Sequence, residues 1–287
     1  QYGCSVFFFI VLTLVVITSS ANAKETSKTL IITGVEDHHP LTFKLPNGEA
    51  AGLYVDIWDL WSKSNGIPIK FNLTTMQKGL QLVKNKQAIH AGLFRNKKRE
   101  HWADFSIPFH KVSSSIFYNK TKNSNNKNKT LKDFNGKIVA VLHGSYQEQY
   151  ILDNFPLIQV VKYSYKKSFI QLFNQEIHAI FDETPAMNSV VAQLAMTGVF
   201  DSSEVTSASK LVHVALAKGQ PMLLKKINQG FENIPLNLLI SLEKKWLPKE
   251  SRFFREKASL NTLTLTEQKW LMKHPKLISP LELNAYP

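Results

Sequence analysis

Apolar and polar positions along the chain switch between two periods. Thr29-Leu30-Ile31-Ile32-Thr33-Gly34 is a short apolar run of strand type. After a loop holding Pro40, Pro46 and Asn47-Gly48, the apolar residues Leu53, Ile57, Leu60 and Trp61 fall on one helical face. Ile67–Phe71 predicts a second strand, 77–84 a short helix and Ala88–Phe94 a third strand. Strands and helices alternating at this spacing imply βαβ units and a largely parallel sheet. The pattern then restarts. Lys137–Leu142 predicts a buried strand, a helix starts at Ser145, and strands at Gln159–Tyr163 and 177–181 frame a helix at 168–174. A helix at 186–196, a strand at 211–216 and helices at 221–232 and 236–246 follow. The last strand and helices find no counterpart in the second unit, so they are expected to complete the first. The chain then crosses twice between two lobes, near 116–120 and near 207–211, which makes a hinge.

The two ends carry patterns of another kind. Residues 6–17 (VFFFIVLTLVVI) hold one non-apolar residue, Thr13, and run into Ser19-Ser20-Ala21-Asn22-Ala23. An apolar core of this length ending in Ala-x-Ala predicts a secretory signal peptide over 1–23, cleaved after Ala23. The alternative is an uncleaved anchor, for which spanning takes about 20 apolar residues. The chain begins at Gln1 with no basic residue before the apolar run, so its start is expected to be incomplete. Cys4, the single cysteine, precedes that run and leaves with the signal. The mature protein is then without disulfides and without thiolate zinc sites.

Composition is that of a globular protein, 44% hydrophobic and 20% charged. The net charge of +13 invites a nucleic-acid partner. Such a partner needs basic residues gathered on one face with aromatics or base-reading side chains. Here the lysines are spread along the chain, and their densest run, 119–132 (NKTKNSNNKNKTLK), has no aromatic. That run reads as a solvated loop, and no nucleic-acid partner is expected.

Three ordered motifs carry a family resemblance: Gly48 followed by Gly52-Leu53-Tyr54-Val55-Asp56; Arg99 followed by Phe105-Ser106-Ile107-Pro108-Phe109; and Leu131 through Gly136-Lys137 to Gly144-Ser145. Together they resemble the type 2 periplasmic solute-binding (venus-flytrap) family, in its amino-acid-binding branch, over residues 29–250. The resemblance implies a two-lobed α/β fold, each lobe a mixed, mostly parallel sheet flanked by helices. Lobe 1 comprises 29–117 plus 210–250 and lobe 2 comprises 118–209. The segment Ile89–Phe94 is similar to a subgroup that serves as sensor domains of diguanylate cyclases and hybrid histidine kinases. Thr264–Pro275 opens with a Thr-x-x-Glu capping box and stops at a proline. It resembles the linker helix between tandem sensor copies, so 251–276 is expected as linker and 277–287 as the start of a truncated second copy. The alternative is a C-terminal tail packed on the first lobe.

Arg99 stands out as a planar fork of donors matched to a carboxylate; in the family its position grips the ligand's α-carboxylate. Gly144 and Ser145 begin a helix, whose exposed N–H groups and partial positive charge suit an anion. By resemblance Glu183 stands where an Asp pairs with the ligand's α-amino group; its neighbour Asp182 could substitute if the strand register slips, though alternation points it to the opposite face. The resemblance also places Asn96, Phe94, His38 and Met76 at ligand-contacting positions. Of these, His38 and Met76 replace the usual aromatic sandwich, and Asn96 replaces a threonine. The implied partner is a small molecule, an amino acid or another small carboxylate. Beyond it stand a second sensor domain and a membrane-anchored signalling module or, on the transport alternative, an ABC permease. The location is expected to be periplasmic. Glu183 or His143 could be cast as an acid or base, but the sequence holds no nucleophile elbow, phosphate loop or metal motif, so no catalytic residue is assigned. Nine scattered histidines with no i, i+4 pair leave no metal and no cofactor expected.

Overall fold

The computed structural model describes residues 29–120, 128–163 and 165–254. The expected signal peptide, residues 121–127 of the Asn/Lys tract, the linker from 255 onward and the start of a second copy lie outside them. In chain order the first stretch holds β1 (Leu30–Val35), β2 (Asp37–His38), β3 (Thr42–Lys44), β4 (Ala50–Ala51), α1 (Leu53–Asn65) and β5 (Ile69–Thr74). It continues through α2 (Met76–Lys84), β6 (Ile89–Phe94), the single turn α3 (Lys97–Glu100) and β7 (Ala103–Val112). The second stretch holds β8 (Ser114–Asn119), β9 (Ile138–Val141), α4 (Tyr146–Asn154), β10 (Gln159–Lys162), α5 (Tyr165–Phe173), β11 (Ala179–Glu183), α6 (Thr184–Gln193) and β12 (Phe200–Glu204). The chain then returns through β13 (Lys210–Ala217), α7 (Pro221–Glu232) and α8 (Leu236–Trp246).

The two five-stranded sheets have the same order, β5-β1-β6-β13-β7 and β10-β9-β11-β8-β12. In each, three parallel strands are followed by a strand that runs antiparallel to both of its neighbours, β13 in lobe 1 and β8 in lobe 2. The inner parallel strands of lobe 1, β1 and β6, read as apolar runs because both of their faces are covered, whereas β5 at the sheet edge alternates apolar and polar residues. The fold is thus the two-lobed α/β architecture expected, with one difference. The closing strand of lobe 1 does have a counterpart, β8, which the crossing chain supplies. Because β8 belongs to the second sheet, the first crossing falls at Ser113 and not near 116–120. The run from Ala103 to Asn119 is extended throughout, so periodicity alone gives no sign of where it changes sheets.

The lobe 1 core is built on α1, where Trp58 and Trp61 are fully buried. Their indole N–H groups donate to the carbonyls of Ala91 (3.0 Å) and Ile227 (3.2 Å), which removes the cost of burying a donor. Gly230 of α7 permits this approach: a Cβ there would lie 2.2 Å from Trp61 Nε1. Deeper in the same lobe His110 and Glu243 form a buried pair, Nε2 to Oε1 at 2.9 Å. The Tyr54 hydroxyl meets His110 Nδ1 at 3.2 Å. Glu243 also accepts the backbone N–H groups of Phe253 (2.7 Å) and Phe254 (2.9 Å), which ties the segment leaving the domain to α8.

Candidate functional site

The C-terminal ends of β1, β6 and β11 and the start of α4 converge between the lobes on a small cavity of about 30 Å³. This is the crevice at the carboxyl ends of strands that open α/β sheets offer a ligand. The lobes are closed over it. Lys98 of lobe 1 donates to Gln149 of lobe 2 at 2.6 Å, His39 meets the Ser189 hydroxyl, and the Phe94 and Tyr146 rings pack edge to face with centroids 5.6 Å apart.

Arg99 is only 6% exposed and lines this cavity. Its position is set by α3: Asn96 Oδ1 accepts the Arg99 N–H at 2.8 Å and caps the turn. The guanidinium donates to the Phe94 carbonyl (2.7 Å) and, across the cleft, to the Gly144 carbonyl (3.0 Å), which leaves further N–H donors of the fork uncommitted. Burial lowers its pKa to about 10, against the attraction of Glu183 and Tyr146, so it stays protonated at neutral pH.

On the facing lobe, Ser145 caps α4 by accepting the Glu148 N–H at 3.1 Å. The reciprocal bond of a capping box goes one residue early, from the Gly144 N–H to Glu148 Oε2 at 2.7 Å, because the Ser145 N–H is already held by the Leu142 carbonyl. The N–H groups of Tyr146 and Gln147 have no carbonyl within the helix to bond, and both residues line the cavity. They are the anion-seeking end of the helix dipole.

Beside them stand two carboxyl groups and two imidazoles. Burial raises the Glu183 pKa well above its ordinary value; Asp182 reinforces the shift and Arg99 opposes it. Burial raises Asp182 to about 7, while the Glu183 N–H bonded to it pulls the other way. The imidazoles move in the opposite direction. Burial lowers His38 to about 4 and His90, with Arg99 adding to the effect, to about 3. Both are neutral at pH 7, so the 3.6 Å separation of His38 Nε2 and Glu183 Oε2 is not an ion pair. Among the described residues no group of three or more His, Cys, Asp or Glu could hold a metal ion.

Residues 30–249 match the family model of bacterial extracellular solute-binding proteins, family 3. The chain belongs to this family. Among curated proteins, the arginine-binding protein 1 of an Escherichia coli (strain K12) ABC transporter is 25% identical over 167 residues, 56% of this chain and 66% of that protein. Among solved structures, an ancestral arginine-binding protein bound to arginine is 23% identical with a TM-score of 0.69, covering 78% of this chain and 100% of that one. A histidine kinase sensor domain with similarity to periplasmic binding proteins is 18% identical with a TM-score of 0.68, covering 78% and 98%. These structures share the fold. No helix of the described residues is long and apolar enough to cross a membrane.

In this family 3 member the structure brings Arg99, Ser145, Glu183, Phe94, His38 and Met76 to one cavity. Asn96 does not line it but caps the turn that aims Arg99. Gly144, at φ +80°, receives Arg99 on its carbonyl, and a Cβ there would touch Met76 and Gln77 at 3.5 Å, so its place is at the contact between lobes. His90 and Asp182 are among the lining residues that the sequence reading did not assign to the site. His90 sits in an apolar run and reads as core. Asp182 alternates with Glu183, yet both reach the cavity because β11 ends there, with Glu183 the last strand residue and the N-cap of α6.

Proposed function

We propose that this chain is a periplasmic amino-acid-binding domain that closes on its ligand and acts as the sensor module of a signalling receptor. The observation that carries the binding reading is the placement of Arg99 and Glu183. They come from different lobes and face one cavity, yet the Arg99 hydrogen bonds go to carbonyl oxygens and not to Glu183. A zwitterion bound between them would place its carboxylate at Arg99 and the first N–H groups of α4 and its ammonium at Glu183. Since each lobe supplies one partner, the ligand stabilises the closed state by its differential affinity. The arginine-binding names among the relatives agree with an amino acid as ligand.

The sensor reading is supported by the sensor-domain neighbour and by Glu243, which fastens Phe253 and Phe254 and so couples lobe 1 to the sequence resembling a linker helix. Its partners are a second sensor domain and a membrane-anchored signalling module. The transport reading, with an ABC permease as partner, is favoured by the curated relative. Deleting the protein slows growth on its ligand as nitrogen source under the transport reading and leaves growth unchanged under the sensor reading.

Binding is tested by thermal shift against the amino acids and simple carboxylates. An amino acid raises the midpoint by mass action, and Arg99→Ala abolishes the rise. Because burial raises the Glu183 pKa and an ammonium bound there lowers it again, the heat of binding changes with the ionisation enthalpy of the buffer across the pH range in which that carboxyl titrates. If carboxylates without an ammonium group bind as well as amino acids, the role given to Glu183 is wrong.

A further inference from the structure

Two buried side-chain atoms of the cavity residues have no hydrogen-bond partner, His90 Nε2 on β6 of lobe 1 and Asp182 Oδ2 on β11 of lobe 2. The residues are 2% and 1% exposed. In each, the other polar atom is fixed by backbone: the Gly92 N–H donates to His90 Nδ1 at 3.3 Å, and the Glu183 N–H donates to Asp182 Oδ1 at 2.8 Å. An imidazole that accepts at Nδ1 while neutral carries its proton on Nε2. His90 therefore offers a donor from one lobe, and Asp182 offers Oδ2 from the other, an acceptor when the carboxyl is ionised and a donor when it is protonated. Folded proteins leave few such atoms unpaired, because a buried unpaired polar group forfeits its water without compensation. Neither atom has a place in the grip on carboxylate and ammonium, which Arg99, the start of α4 and Glu183 supply.

We propose that His90 and Asp182 form a second polar subsite, which reads an uncharged polar side chain, a hydroxyl or an amide, on the bound amino acid. This rests on the amino-acid reading above and names the ligand class within it. A hydroxyl or amide accepts from His90 Nε2–H and pairs with Asp182 Oδ2, donating to it when it is ionised and accepting from it when it is protonated. A hydrocarbon of the same shape leaves both groups buried and unpaired, and a site built to hydrogen-bond its ligand rejects such an analogue far more strongly than an apolar pocket rejects a hydroxyl.

The test is calorimetric titration of the full chain with near-isosteric pairs, threonine against valine and asparagine against leucine. At least one polar member binds more tightly than its partner by about tenfold or more, the equivalent of about 1.4 kcal/mol. His90→Leu abolishes that preference and, by removing an unpaired donor, raises the melting temperature without ligand; a residue with a purely structural role would lower it. Equal binding within both pairs, with Arg99→Ala still abolishing it, overturns the subsite and leaves the amino-acid reading intact. A preference that survives in His90→Leu overturns it too, since the discriminating group then lies elsewhere. If none of the four binds, the subsite falls, and the remaining amino acids decide whether the broader reading falls with it.

Discussion

Two buried polar clusters meet at Tyr54, and they are built on opposite principles. On the core side, Tyr54, His110 and Glu243 close on one another and on two backbone N–H groups. On the cavity side, His90 and Asp182 each have one atom held by backbone and one unpaired. Both clusters are out of water, so the difference is not one of solvent access. A network that satisfies itself fixes a shape, whereas one left half satisfied stores a cost that an incoming group can relieve. The structural cluster should therefore govern stability, and the open one should govern what binds.

The largest effect is expected at the closed cluster. Glu243→Ala strips the acceptor from His110 and from the N–H groups of Phe253 and Phe254. Breaking a buried pair of this kind costs about 3–5 kcal/mol, read as a loss in urea unfolding free energy. The variant's order of preference among ligands should be unchanged. A shift in ligand preference without loss of stability would dissolve the distinction between the clusters.

The open cluster should reveal itself in pH dependence. Asp182 has a folded pKa of about 7 against an ordinary 3.8, so the folded state keeps a proton that the unfolded chain releases between these values. The stability this contributes is complete below about pH 4 and is lost as pH rises to about 7, on the order of 4 kcal/mol at about 1.36 kcal/mol per pKa unit. His38 and His90 run the other way. Their folded values of about 4 and about 3 lie below 6.5, so the stability linked to their neutral forms is lost as pH falls below about 6.5. The total profile mixes these slopes, but the difference between wild type and Asp182→Asn isolates one of them. The variant should gain on wild type steadily from pH 4 to 7 and stay level above. A flat difference would mean that Asp182 is ionised in the folded protein and already has a partner.

Much of this was legible in the sequence, and what was not has physical reasons. The inner parallel strands and the helices announce themselves because burial on both faces demands apolar runs and helix amphipathicity has a distinct period. Arg99 and Ser145 were legible because fork donors and helix caps are chemistries of single residues. Glu243 was hidden, since a glutamate in Leu242-Glu243-Lys244-Lys245 reads as a solvated helix face until His110, far away in sequence, is brought against it. His90 and Asp182 were hidden for a related reason. Their importance lies in the partner each lacks, and a missing partner is a property of the packed cavity, not of the strand that carries the residue. The sheet change at Ser113 was hidden because strand-forming sequence continues on both sides of it.

The smallest effect separates capping from contact at Ser145, a third buried polar residue and one whose hydroxyl already has a partner in the Glu148 N–H. Ser145→Ala removes the cap of α4, and losing an N-cap costs about 1 kcal/mol. Thermal or urea unfolding of the ligand-free protein should show a loss of that size. The ligand's carboxylate is expected at the N–H groups of Tyr146 and Gln147, which the substitution leaves in place, so affinity should fall only about threefold, the factor that roughly 0.7 kcal/mol represents. If affinity instead falls by about a hundredfold while the unfolding free energy changes little, the hydroxyl itself is a ligand contact, and Ser145 belongs with His90 and Asp182 on the open side of the division.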